Sequence, residues 1–121
     1  MQAGNGEVLV VEDEPLVALM IEDMLTDMGF TVAAVVHTEP AAQDALAKHR
    51  PRLAILDFEL GRGNSLDLIA QCRTNGTAVI VATGHTAAEL PEECRDSPIL
   101  TKPFSIEQLS AALEQALASA R

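Results

Sequence analysis

Five polar residues stand where short apolar runs end. Glu12-Asp13 follows Val8–Val11, Asp57 follows Leu53–Leu56, Thr83 follows Ala78–Ala82, and Lys102 follows Ile99–Thr101. Carboxylates, a hydroxyl and an ammonium suit a hard cation rather than a soft one, because oxygen ligands favour Mg2+. Carboxylates held together repel: at about 4 Å and an effective dielectric near 20, each pair costs roughly 4 kcal/mol. Such a pocket must take up a proton or bind a cation. Three negative charges and one positive leave a surplus that one divalent ion neutralises, and removing the charge of Asp13 is expected to relax the metal-free fold. An aspartate can also attack phosphorus and carry the phosphoryl group as an acyl phosphate. Metal and ammonium offset the charge on the moving group, and little else is required of the protein. Phosphoryl transfer to Asp57 is the chemistry these residue types point to, with the Thr83 hydroxyl free to donate to a phosphoryl oxygen.

These residues act together only if their strands end side by side. The runs Val8–Val11, Phe30–Val36, Leu53–Leu56, Ala78–Ala82 and Ile99–Thr101 are continuous and apolar, the pattern of strands covered on both faces. Helical spacing separates them. The first helix spans 15–28, with Leu16, Val17, Met20, Ile21, Met24, Leu25 and Met28 turned inward and Pro15 and Gly29 at its ends. A second is capped by Thr38 and stopped by Pro51, with Ala41, Ala42, Ala45 and Leu46 inward. After a glycine-containing loop over 61–64, a third spans 65–74 and ends at Asn75-Gly76. A weak fourth over 86–95 is interrupted by Pro91. The last opens at Ser105, with Gln108 placed for reciprocal capping and Ile106, Leu109, Ala112, Leu113, Ala116 and Leu117 inward. Strict alternation with right-handed crossovers makes an α/β domain: a doubly wound five-stranded parallel sheet with helices on both faces. In the order 2-1-3-4-5, strands one and three are neighbours, and ligands bind beyond their carboxyl ends. At 121 residues the chain is expected to be a single domain over 1–121, without an output domain.

Composition narrows the partners. Eighteen acidic residues against eight basic ones give a net charge of −10, which repels nucleic-acid backbones and anionic membrane surfaces alike. The apolar runs fall far short of the ~20 residues that span a membrane, and the opening MQAGNGEV lacks the regions of a signal peptide. A cytoplasmic protein is expected. Cys72 and Cys94 are the only cysteines and show no ligand spacing; Cys72 shares an apolar face with Leu66 and Ile69 and reads as a small buried hydrophobe.

With VVED at 10–13, ILD at 55–57, VATG at 81–84 and TKPF at 101–104, the sequence resembles the response-regulator receiver family over essentially its whole length. The resemblance implies that Asp57 is the phosphoacceptor, that Glu12, Asp13, Asp57 and the main-chain carbonyl of Glu59 hold Mg2+, that Thr83 is the switch hydroxyl, and that Lys102 binds phosphate. It also implies a cis Lys102–Pro103 bond and a histidine kinase or histidine phosphotransfer protein as donor. Ile99 stands where the family often has Tyr or Phe, so a rotating aromatic ring cannot be the readout here. Ala82-Thr83-Gly84 also resembles part of the Phe-Ala-Thr-Gly-x-Tyr (FATGUY) motif of a single-domain bacterial subfamily. Glu59 and His85 stand close enough to Asp57 and Thr83 in sequence to tune hydrolysis, although a solvated loop is the plainer reading for His85. His37 and His49 are expected to face solvent, Arg62 to be an ordinary loop arginine, and Met20, Met24 and Met28 to belong to the core.

Three rivals share parts of the pattern. A haloacid-dehalogenase-type phosphatase needs a DxD motif after its first strand, where this chain has its acidic pair. A flavodoxin-like FMN carrier needs a phosphate loop there and aromatic rings to stack on the flavin, but Glu12-Asp13-Glu14 repels phosphate and there is no Trp or Tyr. A degenerate receiver, acting as a passive interaction module, does not need the five polar residues intact. The expected function is phosphoryl acceptance at Asp57, after which the surface near helix four and strand five alters binding to a downstream protein, or the domain drains phosphoryl groups from a kinase.

Overall fold

The structure, a computed structural model, describes residues 7–119; most of the opening segment read above for a leader lies outside them. Five strands form one parallel sheet: β1 (Glu7–Val11), β2 (Thr31–Val36), β3 (Leu53–Asp57), β6 (Ala78–Thr83) and β7 (Ile99–Thr101). Two further strands, β4 (Glu59–Leu60) and β5 (Gly63–Asn64), make a separate antiparallel hairpin where the sequence predicts only a loop. The sheet order 2-1-3-6-7 is therefore the expected 2-1-3-4-5 with the hairpin set aside.

Alternation along each strand sends side chains to two cores. Leu9 and Val11 of β1, with Ala54 and Leu56 of β3, face α2 (Glu39–His49) and α3 (Leu66–Asn75). Val8, Val10, Leu53 and Ile55 face α1 (Pro15–Asp27) and α4 (Ile106–Ser119). Both faces are covered, which is why the strands carry no polar alternation. The helix ends follow their local chemistry. The Thr38 hydroxyl accepts the Ala41 N–H, and at the start of α4 Gln108 Oε1 accepts the Ser105 N–H while Ser105 Oγ accepts the Gln108 N–H. Gly29 and Gly76 adopt positive φ just past α1 and α3, as glycine allows without strain. The Lys102–Pro103 bond is cis. Cys72 is buried, and burial pushes its thiol up to about 12.

Three expectations are corrected. The segment 86–95 is no α-helix but two 3-10 turns, Ala87–Glu89 and Glu92–Cys94. Pro91 removes a donor between them, and only Leu90 and Cys94 find burial in the core. Leu16 and Met20 do not face inward, and Met20 leaves the methionine series: they are 76% and 56% exposed. The buried stripe of α1 is Ala18, Ile21 and Leu25; at about 100° per residue, Leu16 lies roughly 160° around the axis from Ala18. The apolar residues of α1 thus wrap more of the helix than the sheet can cover. Ile106 is likewise at the surface; the buried residues of α4 begin at Leu109.

Candidate functional site

β1 and β3 lie side by side because the chain winds outward from β1 in one direction to β2 and in the other to β3. Their carboxyl ends deliver Glu12, Asp13 and Asp57, whose ligand atoms all lie within 4.8 Å of one another. Glu12 and Asp57 are buried and Asp13 sits at the rim. Each is oriented by main chain. Glu12 Oε2 accepts the Glu14 N–H at 3.1 Å, leaving Oε1 turned to the pocket. Asp13 Oδ2 accepts the Gly61 N–H at 3.2 Å from the turn of the hairpin, where Gly61 has φ +60. Thr83 ends β6, and its carbonyl receives the Lys102 N–H at 2.7 Å, which ties the two strand ends together.

Lys102 reaches over the pair: Nζ lies 2.8 Å from Glu12 Oε1 and 3.2 Å from Asp57 Oδ1. Neither oxygen gains a hydrogen bond of good geometry from it, although both are buried. The contact is one of charge rather than direction, and lone pairs remain open toward the pocket. Burial first, and then contact with Glu12, push the Asp57 carboxyl up to about 8, with Lys102 pulling the other way. Burial also works against ionisation at Asp13, but the Gly61 N–H, Asp57 and Lys102 outweigh it and hold that carboxyl below its usual range. The cost of crowding therefore shows at Asp57, whose carboxyl Asp13 also helps to raise. At Lys102 burial disfavours the ammonium, but Glu12 and Asp57 more than compensate and raise it.

Two buried carboxylate oxygens lacking hydrogen bonds, a third carboxylate within reach and no nitrogen or sulfur donor fit a hard divalent cation. Mg2+ is the ion such a donor set suits, and Glu12, Asp13 and Asp57 are the residues that would hold it.

The side chain of Glu59 does not join the acidic cluster. It turns to Thr83, whose hydroxyl donates to Glu59 Oε2 at 2.7 Å. His85 stands between Glu59 and Glu89, at 3.6 and 3.5 Å. His37 faces solvent as expected, but its Nδ1 lies 2.9 Å from the Glu12 carbonyl. Ser65 is fully buried and its hydroxyl donates to the Asp57 carbonyl, a contact that its place at the start of a helix does not predict. A serine that opens a helix without capping it has its hydroxyl free for another acceptor, and α3 shows no side-chain cap there. Ile99 is half-buried on the edge strand, opposite Val81.

Comparison with known proteins agrees with this geometry. The family model described as the response regulator receiver domain matches residues 8–114. The transcriptional regulatory protein PdtaR of Mycobacterium tuberculosis is 30% identical over 94% of this chain, and the phyllosphere-induced regulator PhyR of Methylorubrum extorquens is 34% identical over 92%. The chain spans about half the length of these relatives, 58% and 43%. Among solved structures, SdrG of Sphingomonas melonis superposes with a TM-score of 0.84 at 32% identity, covering 96% of this chain and 98% of that one. The receiver domain of Erythrobacter litoralis PhyR gives 0.81 at 29% identity, covering 98% and 94%. With its winding, its acidic strand ends and its match across 8–114 all in agreement, the chain belongs to the response regulator receiver domains of two-component signalling.

Proposed function

We propose that Asp57 accepts a phosphoryl group from the phosphohistidine of a histidine kinase or histidine phosphotransfer protein, and that the phosphorylated domain alters its binding to a downstream protein or serves as a phosphoryl sink. The observation that carries this reading is the convergence of Glu12, Asp13 and Asp57 within 4.8 Å, under the Lys102 ammonium, at the switch point of the sheet. Asp57 Oδ attacks phosphorus; the O–P bond forms as the N–P bond breaks, and the imidazole departs with the bonding pair. Mg2+, when held by Glu12, Asp13, Asp57 and the Glu59 carbonyl, offsets charge on the moving group. Lys102 supplies a second positive charge on the side facing Asp57 Oδ1, and Thr83 donates its hydroxyl to a phosphoryl oxygen. Water later cleaves the acyl phosphate to inorganic phosphate and the free carboxylate, so the domain acts only on itself.

The donor has a surface to meet. Leu16, Leu19 and Met20 are exposed on α1, and the groove between α1 and Lys102–Phe104 is lined by Val17, Met20 and Met24. This apolar ground borders the acidic pocket, as docking of a phosphohistidine-bearing helix requires. The new charge on Asp57 then biases a two-state element at the end of β6. Among the described residues no helix is long and apolar enough to cross a membrane.

Incubation with Mg2+ and a small acyl-phosphate donor is expected to add one phosphoryl group by mass, and Asp57→Asn to add none. A mass gain retained in Asp57→Asn, on another residue, overturns the assignment.

A further inference from the structure

We infer that the Glu59 side chain is a latch: it holds the Thr83 hydroxyl in the unphosphorylated state, and phosphorylation proceeds by exchange of one acceptor for another. The inference rests on the phosphoacceptor reading of Asp57 and concerns what must be undone before Thr83 can serve it.

A threonine hydroxyl has a single proton to give. Here that proton goes to Glu59 Oε2 at 2.7 Å, in the short range of charge-assisted bonds. The Thr83 Oγ1 atom itself accepts the His85 N–H at 3.0 Å. Glu59 is secured from elsewhere too: its Oε1 lies 3.5 Å from the Gly84 N–H, and the β4–β5 hairpin fixes its main chain opposite Asn64. Thr83 is fully buried, so water does not replace a lost partner. A phosphoryl oxygen on Asp57 can take the Thr83 proton only when Glu59 yields it, and two anions competing for one donor also repel.

Glu59 is able to leave. Its side chain is 40% exposed, so rotation into solvent restores its hydration. Departure also frees Gly84 and His85, and His85 touches Glu89, which caps the first 3-10 turn through Thr86. The latch thus connects Thr83 to the 86–95 segment without an aromatic ring at position 99. Glu59 acts through Thr83 and is a positioning residue.

The test is a mutant cycle read with beryllofluoride, an inert tetrahedral mimic of the phosphoryl group, in the presence of Mg2+. Glu59→Ala is expected to bind it about tenfold more tightly than the wild-type protein, the worth of a charged hydrogen bond. Glu59→Gln, which keeps an acceptor oxygen but no charge, is expected to gain less. In a Thr83→Ala background the Glu59→Ala gain should shrink to within about threefold. Without any mimic, the amide resonances of Thr83, Gly84 and His85 in Glu59→Ala should move toward their positions in beryllofluoride-saturated wild type. A gain that survives undiminished in Thr83→Ala means bare charge repulsion and overturns the latch, as do unmoved amides. A wild-type protein that binds beryllofluoride with Glu59→Ala unchanged sinks the latch alone; a wild-type protein that binds none sinks the phosphoacceptor reading and the latch with it.

Discussion

Asp57 is asked to be both buried and negatively charged, and without a cation it resists. In the folded chain its carboxyl is pushed up to about 8 from an ordinary 3.8. Below 3.8 the folded and unfolded states are both protonated, and the contribution to stability is complete. As pH rises the unfolded state releases the proton first, so that contribution declines and is gone once the folded carboxyl ionises near 8. A bound divalent ion reverses this preference, because its ligand must be ionised. Mg2+ affinity is therefore expected to rise with pH up to about 8 and then level, with close to one proton released per ion near neutrality. Calorimetry in two buffers of different ionisation heat checks it. Asp57→Asn should give equal heats in both, and a wild-type affinity flat from about pH 6 to 8 contradicts the proton count.

Among the elements, α1 departs furthest from a plain amphipathic helix. Its stripe of Ala18, Ile21 and Leu25 is buried against the sheet, while Leu16, Leu19 and Met20 stand in solvent. Two leucines of one helix should then behave oppositely. Leu25→Ala empties a fully buried site and is expected to cost about 2–5 kcal/mol. Leu16→Gln should change stability by no more than about 0.5 kcal/mol. Leu16→Gln should also accept phosphoryl groups normally from a small donor yet poorly from a phosphohistidine protein. Urea unfolding and the two phosphorylation rates are the measurements. A Leu16→Gln variant as unstable as Leu25→Ala would mean that Leu16 supports the fold, and an unslowed protein donor would mean that it docks nothing.

At the scale of the whole molecule, a chain of net charge −10 gathers three carboxylates at one end of its sheet. A cation that binds the folded state alone stabilises it by mass action, by about 2.7 kcal/mol at a hundredfold excess over Kd. For a domain of this size that is a rise in Tm on the order of ten degrees. Potassium chloride at the same ionic strength screens the diffuse charge but fills no pocket, so its effect should be far smaller. Equal shifts from the two salts would show that Mg2+ acts on the overall charge and not at Glu12, Asp13 and Asp57.

Much of this was already legible in the order of the residues. Continuous runs such as Val8–Val11 announce strands covered on both faces, and strict alternation with a fixed crossover hand leaves few ways to wind them. Once β1 and β3 are neighbours, Glu12, Asp13 and Asp57 must meet, because each closes or follows one of those strands. Thr38 and the Ser105/Gln108 pair cap their helices because capping is local chemistry. The rest depended on contacts that no period encodes. Thr83 finds Glu59 across 24 residues, and Ser65 reaches the Asp57 carbonyl only after α3 has docked. Pro91 warned that a helix was weak but not that two 3-10 turns replace it. The apolar count of α1 exceeded what the sheet could cover, and only packing decided which residues were left outside. Local periodicity determined the elements and their order; burial, by deciding which donors and acceptors still needed partners, determined how Asp57 and Asp13 divide the electrostatic cost and where the Thr83 proton goes.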